Sequence, residues 1–270
     1  MKLTYLLLAA ILLSTTAFAQ EKTDKLVISG DGISIEKGTD KDGNGGKKAE
    51  DKKFSLEVAM IDIGINSLND KTDYTTAAAR NFLQVPATIQ NDNLFSMRTG
   101  KSINVNIAPV MGKWRVLKTK GQKIYLGLGV GLQMYNFRFN KNISYVNNSN
   151  PAVILEDSIG FTKNKLGLTY LTVPLMATFK TKLADKAWLV YGVGVSAGYR
   201  IDSWTKQISS ARGKDKNHDA FNLNDFNTCI SGEIGLDDYF RVFASYQLTA
   251  LHTNALDQHP FSIGIRFGGL

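Results

Sequence analysis

The stretch Leu189-Val190-Tyr191-Gly192-Val193-Gly194-Val195-Ser196-Ala197-Gly198-Tyr199-Arg200-Ile201 decides the fold class. Its odd positions are bulky and apolar, and most of its even positions are glycine, serine or arginine. Side chains alternate between the two faces of an extended chain, so this period of two reads as a β-strand with one greasy face and one small or polar face. The same split recurs in 124–134, where Ile124, Leu126, Leu128, Val130, Leu132 and Met134 oppose Gly127, Gly129, Gly131 and Gln133. Near the end of the chain, Phe261, Ile263, Ile265 and Phe267 oppose Ser262, Gly264 and Arg266. Val242, Ala244, Tyr246 and Leu248 oppose Arg241, Ser245 and Gln247, with Phe243 an exception.

Eight such runs are expected, at 54–65, 102–114, 123–139, 165–180, 187–204, 226–236, 240–250 and 260–268. Most reach the 9–11 residues that a tilted strand needs to cross hydrocarbon. Long links at 66–101, 140–164 and 205–225 alternate with short ones at 115–122, 181–186 and 237–239, and 251–259 is intermediate. Short turns on one side, long loops on the other and an even strand count are the pattern of an outer-membrane barrel. The expected fold is therefore all-β: an eight-stranded antiparallel up-and-down transmembrane β-barrel over 54–270, preceded by a flexible segment.

Alternation alone leaves open whether the apolar face points outward to lipid or inward as in a soluble barrel. The glycine rows favour lipid. On a soluble sheet they would weaken strands in water for no gain, whereas a narrow eight-stranded barrel has room inside only for side chains, and glycines beside a few large groups fill it. Glu57, Glu233, Arg241 and Arg266 all fall near the short-turn end of neighbouring strands once the barrel closes. They are expected to form a paired interior cluster that plugs it, since buried charges are tolerable only when paired. Phe54, Trp114, Tyr125, Phe179, Trp188, Trp204, Tyr239, Phe240 and Phe267 lie near expected strand ends and suit interfacial girdles.

The 270 residues are 43% hydrophobic and carry a formal charge of +8. Lys2, the apolar run 6–13 and Ala17-Phe18-Ala19 read as a secretory signal peptide over 1–19. Residues 20–53, rich in Lys, Asp, Gly and Glu, are expected to be a flexible periplasmic segment with one marginal hairpin over 26–35. Export makes nucleic acid an unsuitable partner for the positive charge and makes outer-membrane lipids the expected one. Lys113, Arg115, Lys118, Lys120 and Lys123 form one basic group, and Lys180, Lys182 and Lys186 another, both expected to border a membrane surface. Cys229, the single cysteine, cannot form an intramolecular disulfide.

Motifs that carry chemistry are sparse. Asp40-Lys41-Asp42-Gly43-Asn44-Gly45 matches the first half of a calcium loop, but Lys47 and Asp51 break the second half, so the segment reads as linker. His218, His252 and His259 fall in outer loops and read as exposed residues without a metal-site spacing. No cofactor, metal site or catalytic residue is expected. Arg212, Lys214 and Lys216 offer point charges to phosphate.

Tyr170-Leu171-Thr172-Val173-Pro174-Leu175-Met176, Asn136-Phe137-Arg138-Phe139, Gly213-Lys214-Asp215-Lys216, Phe221-Asn222-Leu223-Asn224 and Ala244-Ser245-Tyr246-Gln247-Leu248-Thr249 together resemble the PorT-like outer-membrane β-barrel family of the Bacteroidota. The resemblance spans 54–267 and implies an eight-stranded outer-membrane barrel; its motifs are structural. One relative takes part in secretion and gliding machinery. The leading expectation is a non-enzymatic, monomeric outer-membrane barrel acting as envelope scaffold, surface-loop binding protein or secretion accessory, with the amino-terminal segment and short turns periplasmic and the long loops extracellular. The alternatives are a soluble periplasmic calycin-like barrel holding an apolar ligand and a lipid-modifying outer-membrane enzyme using His252 or His259.

Overall fold

The computed structural model describes residues 25–29, 32–36, 53–146, 153–184, 187–237, 239–253 and 255–268. The expected signal peptide, the calcium-like stretch and Lys186 lie outside these residues. Contacts divide the chain into Met1–Glu50 and Asp51–Leu270. Within the first unit, Lys25–Ser29 pairs antiparallel with Gly32–Glu36, Leu26 opposite Ile35 and Ile28 opposite Ile33.

The second unit is built on eight long strands. We label them β1 (Phe54–Asp70), β2 (Ile103–Lys118), β3 (Gln122–Arg138), β4 (Lys163–Ala184), β5 (Ala187–Ser209), β6 (Phe226–Leu236), β7 (Arg241–Gln247) and β8 (Gln258–Phe267). Each pairs antiparallel with its sequence neighbours, and β8 pairs with β1, so the sheet closes into a ring without an edge. Closure pairs every strand on both sides, the arrangement that lets strands cross lipid. The expected strand 226–236 matches β6; β1, β2, β4 and β5 run further than the alternation suggested, and β7 is shorter. Among the described residues no helix is long and apolar enough to span a membrane.

The apolar face is outside. Val193 is 62% exposed, Leu128 46% and Ile265 38%, and the same band continues through Leu126, Val130, Leu171, Val173, Leu175, Ile230, Ile234, Val242 and Ile263. In water such a continuous greasy belt would drive aggregation; in a bilayer it is the solvated surface. Phe54, Trp114, Tyr239, Phe240 and Phe267 crowd the short-turn end of this belt and are exposed, with the Phe54 and Trp114 rings 5.0 Å apart. The glycine face is inside, where missing side chains make room for large neighbours. A Cβ on Gly194 would strike the Met176 sulfur, and one on Gly192 would sit 3.0 Å from the Glu233 carboxylate. Phe243, which looked like a break in the β7 pattern, is an inward residue and almost fully buried. Its ring packs over Gly64, where a Cβ would approach to 3.1 Å. Gly64 stands opposite Gly264 in the β8–β1 pair.

Among the departures from strict alternation, three lie within the body of the barrel and exchange its faces, and each is a local insertion. In β1, Glu57 and Met60 both point inward around Ala59, whose φ is 64°. In β2, Ala108 and Met111 both point inward, and the register against β3 shifts between Ile107 and Val110, on either side of Pro109. In β5 the register against β4 shifts between Arg200 and Asp202. A bulge adds one residue and moves every later side chain to the other face.

Candidate functional site: a plugged lumen under a loop cap

The inward face of β3 shows how the lumen is filled. From the short-turn end it runs Gly127, Gly129, Gly131, Gln133, Tyr135, Phe137, and Phe139 follows just past the strand. Small residues thus face a crowded lower lumen, an amide sits at mid-height, and aromatics face the loops.

The lower lumen holds ions. Arg266 grips Asp62 with two hydrogen bonds, from Nε at 2.6 Å and Nη2 at 2.7 Å, and reaches Glu233 through Nη1 at 2.9 Å. Glu233 also accepts from Arg241 at 3.0 Å, and Arg241 donates to the Gly268 carbonyl. Lys113 pairs with Glu57 at 2.7 Å. Asn106 adds a hydrogen bond to Asp62 at 3.1 Å, and Thr178 one to Glu233 at 3.4 Å. Arg241 and Arg266 are direct cross-strand neighbours, which would repel; Glu233 bridges them and removes the conflict. Three carboxylates thus face three cations, all nearly excluded from solvent.

The structure brings Glu233, Arg241 and Arg266 together and sets Glu57 beside them, held by Lys113 rather than by an arginine. Lys113 does not belong to the membrane-bordering basic group; it is 5% exposed and points into the barrel. Sequence reasoning missed Asp62 and misplaced Lys113 for one reason. Both lie past the Ala59 and Pro109 bulges, so alternation carried on from the strand start puts each on the wrong face. Ala59 with positive φ carries no sequence signal, but Pro109 within an expected strand is one, since proline sits at bulges and edges.

Above the ions lies a cavity of about 60 Å³, lined in part by Gln133, Met176, Cys229, Ser231 and Ser245. It has room for a few waters. Asn227 donates to Gln133 at 2.8 Å, and the buried Cys229 sulfur lies 3.8 Å from the Tyr135 hydroxyl.

The upper lumen is apolar and continuous with the loops. Tyr135, Phe137 and Phe139 from the β3 side and Leu166, Leu168 and Tyr170 from β4 point inward. They pack with Phe82, Leu83, Leu94 and Phe95 of the first loop, Ile143 and Ile154 of the second, Phe221 and Leu223 of the third, and Leu251 and Leu256 of the fourth. The first loop carries a short helix, α1 (Ala77–Phe82), capped by Thr76, whose hydroxyl accepts from the Ala79 amide. Leu83–Gln84 then pairs in parallel with Val153–Glu156, which itself pairs with Ile143–Val146, so two loops share one small sheet. Asn164 of β4 anchors the second loop by donating to the Lys141 and Ile143 carbonyls. The third and fourth loops are joined by Asn224, which donates to the Ala250 and His252 carbonyls.

His252 is the hub. It is 1% exposed, stacks on Tyr145 of the second loop at 6.0 Å, and meets the edge of Phe82 from the first at 5.4 Å. Its Nε2 lies 3.2 Å from the Tyr145 hydroxyl, its backbone bridges to Leu223 of the third loop, and its Nδ1 has no hydrogen-bond partner among the described residues. Burial pushes its pKa down to about 3, against which the Asp70 charge acts only weakly. The expectation of three exposed loop histidines therefore fails at His252, and also at His259, which lies in β8 with its side chain largely covered by Tyr246. His218 is exposed and pairs with Asp202 at 3.0 Å; His259 pairs with Asp257 at 2.8 Å. The three imidazoles have separate partners and do not converge. Among the described residues no group of three or more His, Cys, Asp or Glu is placed to hold a metal ion.

No curated protein matches the chain. Among solved structures, the chain is similar to Ail, the attachment invasion locus protein of Yersinia pestis, at 9% identity and a TM-score of 0.29, over 78% of this chain and 98% of that one. A family model described as "Outer membrane protein beta-barrel domain" matches residues 62–253, from within β1 to the fourth loop. With most of the ring inside that match, the chain belongs to the outer membrane protein β-barrel domain family.

Proposed function

We propose that the protein is a monomeric, non-enzymatic outer-membrane barrel that works as a surface platform. Its long loops face outward, and its short turns and amino-terminal segment face the periplasm, behind a signal peptide over 1–19. One observation carries this reading: the four loops share a buried apolar core with the inward face of β3 and β4. Loops that served only to connect strands would not bury Phe82, Leu83, Phe95, Phe221 and Leu251 in common. A platform held in one shape presents a docking surface at low ordering cost. The same core, with the ion cluster beneath it, fills the lumen, so conduction is not its work. The resemblance to the PorT-like barrels of the Bacteroidota supports the architecture and makes a secretion accessory one form that such docking takes.

Cysteines placed at Gly160 in the second loop and Gly121 in a short turn, both with open space around them, test the orientation. In a variant lacking Cys229, a membrane-impermeant maleimide is expected to label the cysteine at 160 on intact cells and the one at 121 only after lysis. The reverse pattern contradicts the reading. Planar bilayers are expected to show no steady single-channel current; large, stable openings would refute the platform and indicate a pore.

A further inference from the structure

The outer wall above the lipid belt carries a row of cations, of which Arg138 donates to the Thr162 carbonyl at 2.9 Å, and whose charge the described fold does not balance. Lys216, in the short strand Gly213–His218 that extends β5, stands directly opposite Lys206. Lys206 stands opposite Lys165 of β4, and Lys165 opposite Arg138 of β3. Arg138, Lys165 and Lys206 point away from the lumen, because their neighbours Phe137, Leu166 and Thr205 are the buried, inward residues, and Lys216 shares that face through its pairing with Lys206. One row higher, Ile208 is flanked by Lys163 and Lys214. Lys206 lies within electrostatic reach of Lys163, Lys214 and Lys216, and Lys165 of Lys163, Arg138 and Lys206.

Like charges directly opposite one another destabilise a sheet, and here three successive cross-strand pairs are like-charged. Among the described residues no carboxylate forms an ion pair with any of these six cations. Asp202, two rows below on the same wall, pairs with His218. Lysines on an exposed edge strand deter aggregation, which accounts for Lys214 and Lys216, but Lys206, Lys165 and Arg138 lie on strands paired on both sides.

Height on the wall identifies the missing counter-charge. On β5 the outward apolar residues run from Leu189 to Ile201, roughly 30 Å along the barrel axis at about 3.3 Å per residue and a tilt near 40°. Trp204 follows, its indole lying across Gly167 and under the Lys216 ammonium at 5.0 Å. Lys206 comes next, so the row sits just beyond the hydrocarbon edge, where headgroups lie. Across four strands it is about 15 Å wide.

We infer that this row, Arg138–Lys165–Lys206–Lys216, is a binding site on the outer wall for a lipid headgroup bearing more than one phosphate in the leaflet on the loop side. The inference rests on the lipid-facing belt and the outward loops of the proposed function. Bound phosphates convert repulsion among the cations into attraction, and the apolar belt below receives the acyl chains.

The test uses the full chain refolded in zwitterionic detergent and titrated with bisphosphorylated lipid A, with monophosphorylated lipid A and inorganic phosphate as separate arms. Wild type is expected to bind the bisphosphorylated lipid most tightly and inorganic phosphate negligibly. The triple variant Lys165→Gln, Lys206→Gln, Lys216→Gln is expected to lose about tenfold or more in affinity. Without lipid it is expected to melt no lower than wild type, because the repulsion has gone; a lower melting temperature would show that the lysines serve the fold instead. Equal affinity of wild type and variant, or free phosphate binding as well as the lipid, overturns the site. Insertion into pure phosphatidylcholine vesicles is measured in parallel: failure there defeats the membrane reading itself, whereas insertion without lipid A preference defeats only this site.

Discussion

The two ends of the lumen are lined by the same strands and solve opposite problems. At the short-turn end the ring is closed by turns with almost no residues to spare, so inward side chains alone must fill it. Long side chains with charged tips do so by pairing: Arg266 with Asp62 and Glu233, Arg241 with Glu233, Lys113 with Glu57. At the loop end the strands are followed by long segments, and these fold back to bury Phe82, Phe95, Phe221 and Leu251 on the aromatics of β3 and β4. The lower plug is specific through geometry and costs desolvation; the upper one is stabilised by apolar area and tolerates repacking. Position along the barrel, rather than strand identity, decides which chemistry is used.

The sharpest way to break this contrast is Arg266→Met. It leaves Asp62 and Glu233 without their shared cation, and is expected to cost about 3–5 kcal/mol in urea unfolding of the refolded barrel. A cost near zero would show that the cluster is not buried as described. The pair Lys113 and Glu57 sharpens the point: Lys113→Met alone is expected to destabilise more than Lys113→Met with Glu57→Gln, because breaking a buried pair costs more than replacing it. In the upper region, Phe82→Ala is expected to cost about 3 kcal/mol, read as faster hydrogen exchange in the loop core, while exchange in β6–β8 stays slow. Equal acceleration of both would merge the two regions into one unit.

Between the regions, Gly264→Ala sets a Cβ 2.2 Å from the Ile63 carbonyl oxygen and 2.3 Å from the Gly64 Cα. Overpacking there is expected to cost about 1–3 kcal/mol by the same urea assay. Acid sensitivity of the cap is graded with pH rather than fixed. His252 has a folded pKa of about 3, below its ordinary value of about 6.5, so the opened cap takes up a proton first. Its contribution is intact above about pH 6.5 and is lost as pH falls toward 3, at no more than about 1.4 kcal/mol per pH unit. Loop cleavage by an acid-active protease is expected to rise over that window in wild type and to stay flat in His252→Phe.

Much of the barrel was legible because lipid contact forces a regular signal: one greasy residue in two, for a whole strand. Eight expected strands became a ring of eight, with Val193, Leu128 and Ile265 outside and Gly129 inside. The signal stops where regularity stops. Asp62 and Lys113 were hidden behind the bulges at Ala59 and Pro109, which exchange the faces without changing composition. The cap was hidden for a different reason. Its apolar residues, such as Phe82, Leu83, Leu94 and Phe95, are spread through turn-rich segments, have no period, and gain meaning only when four distant loops converge on His252.

Everything depends on which way the apolar face points, and that can be measured directly. Nitroxide labels at Leu128, Val193 and Ile265, in a variant lacking Cys229 and refolded into phosphatidylcholine vesicles, report their surroundings through collision with oxygen or with an aqueous nickel chelate. The account predicts strong broadening by oxygen and shielding from nickel at all three positions. Labels that are open to nickel and closed to oxygen would contradict it.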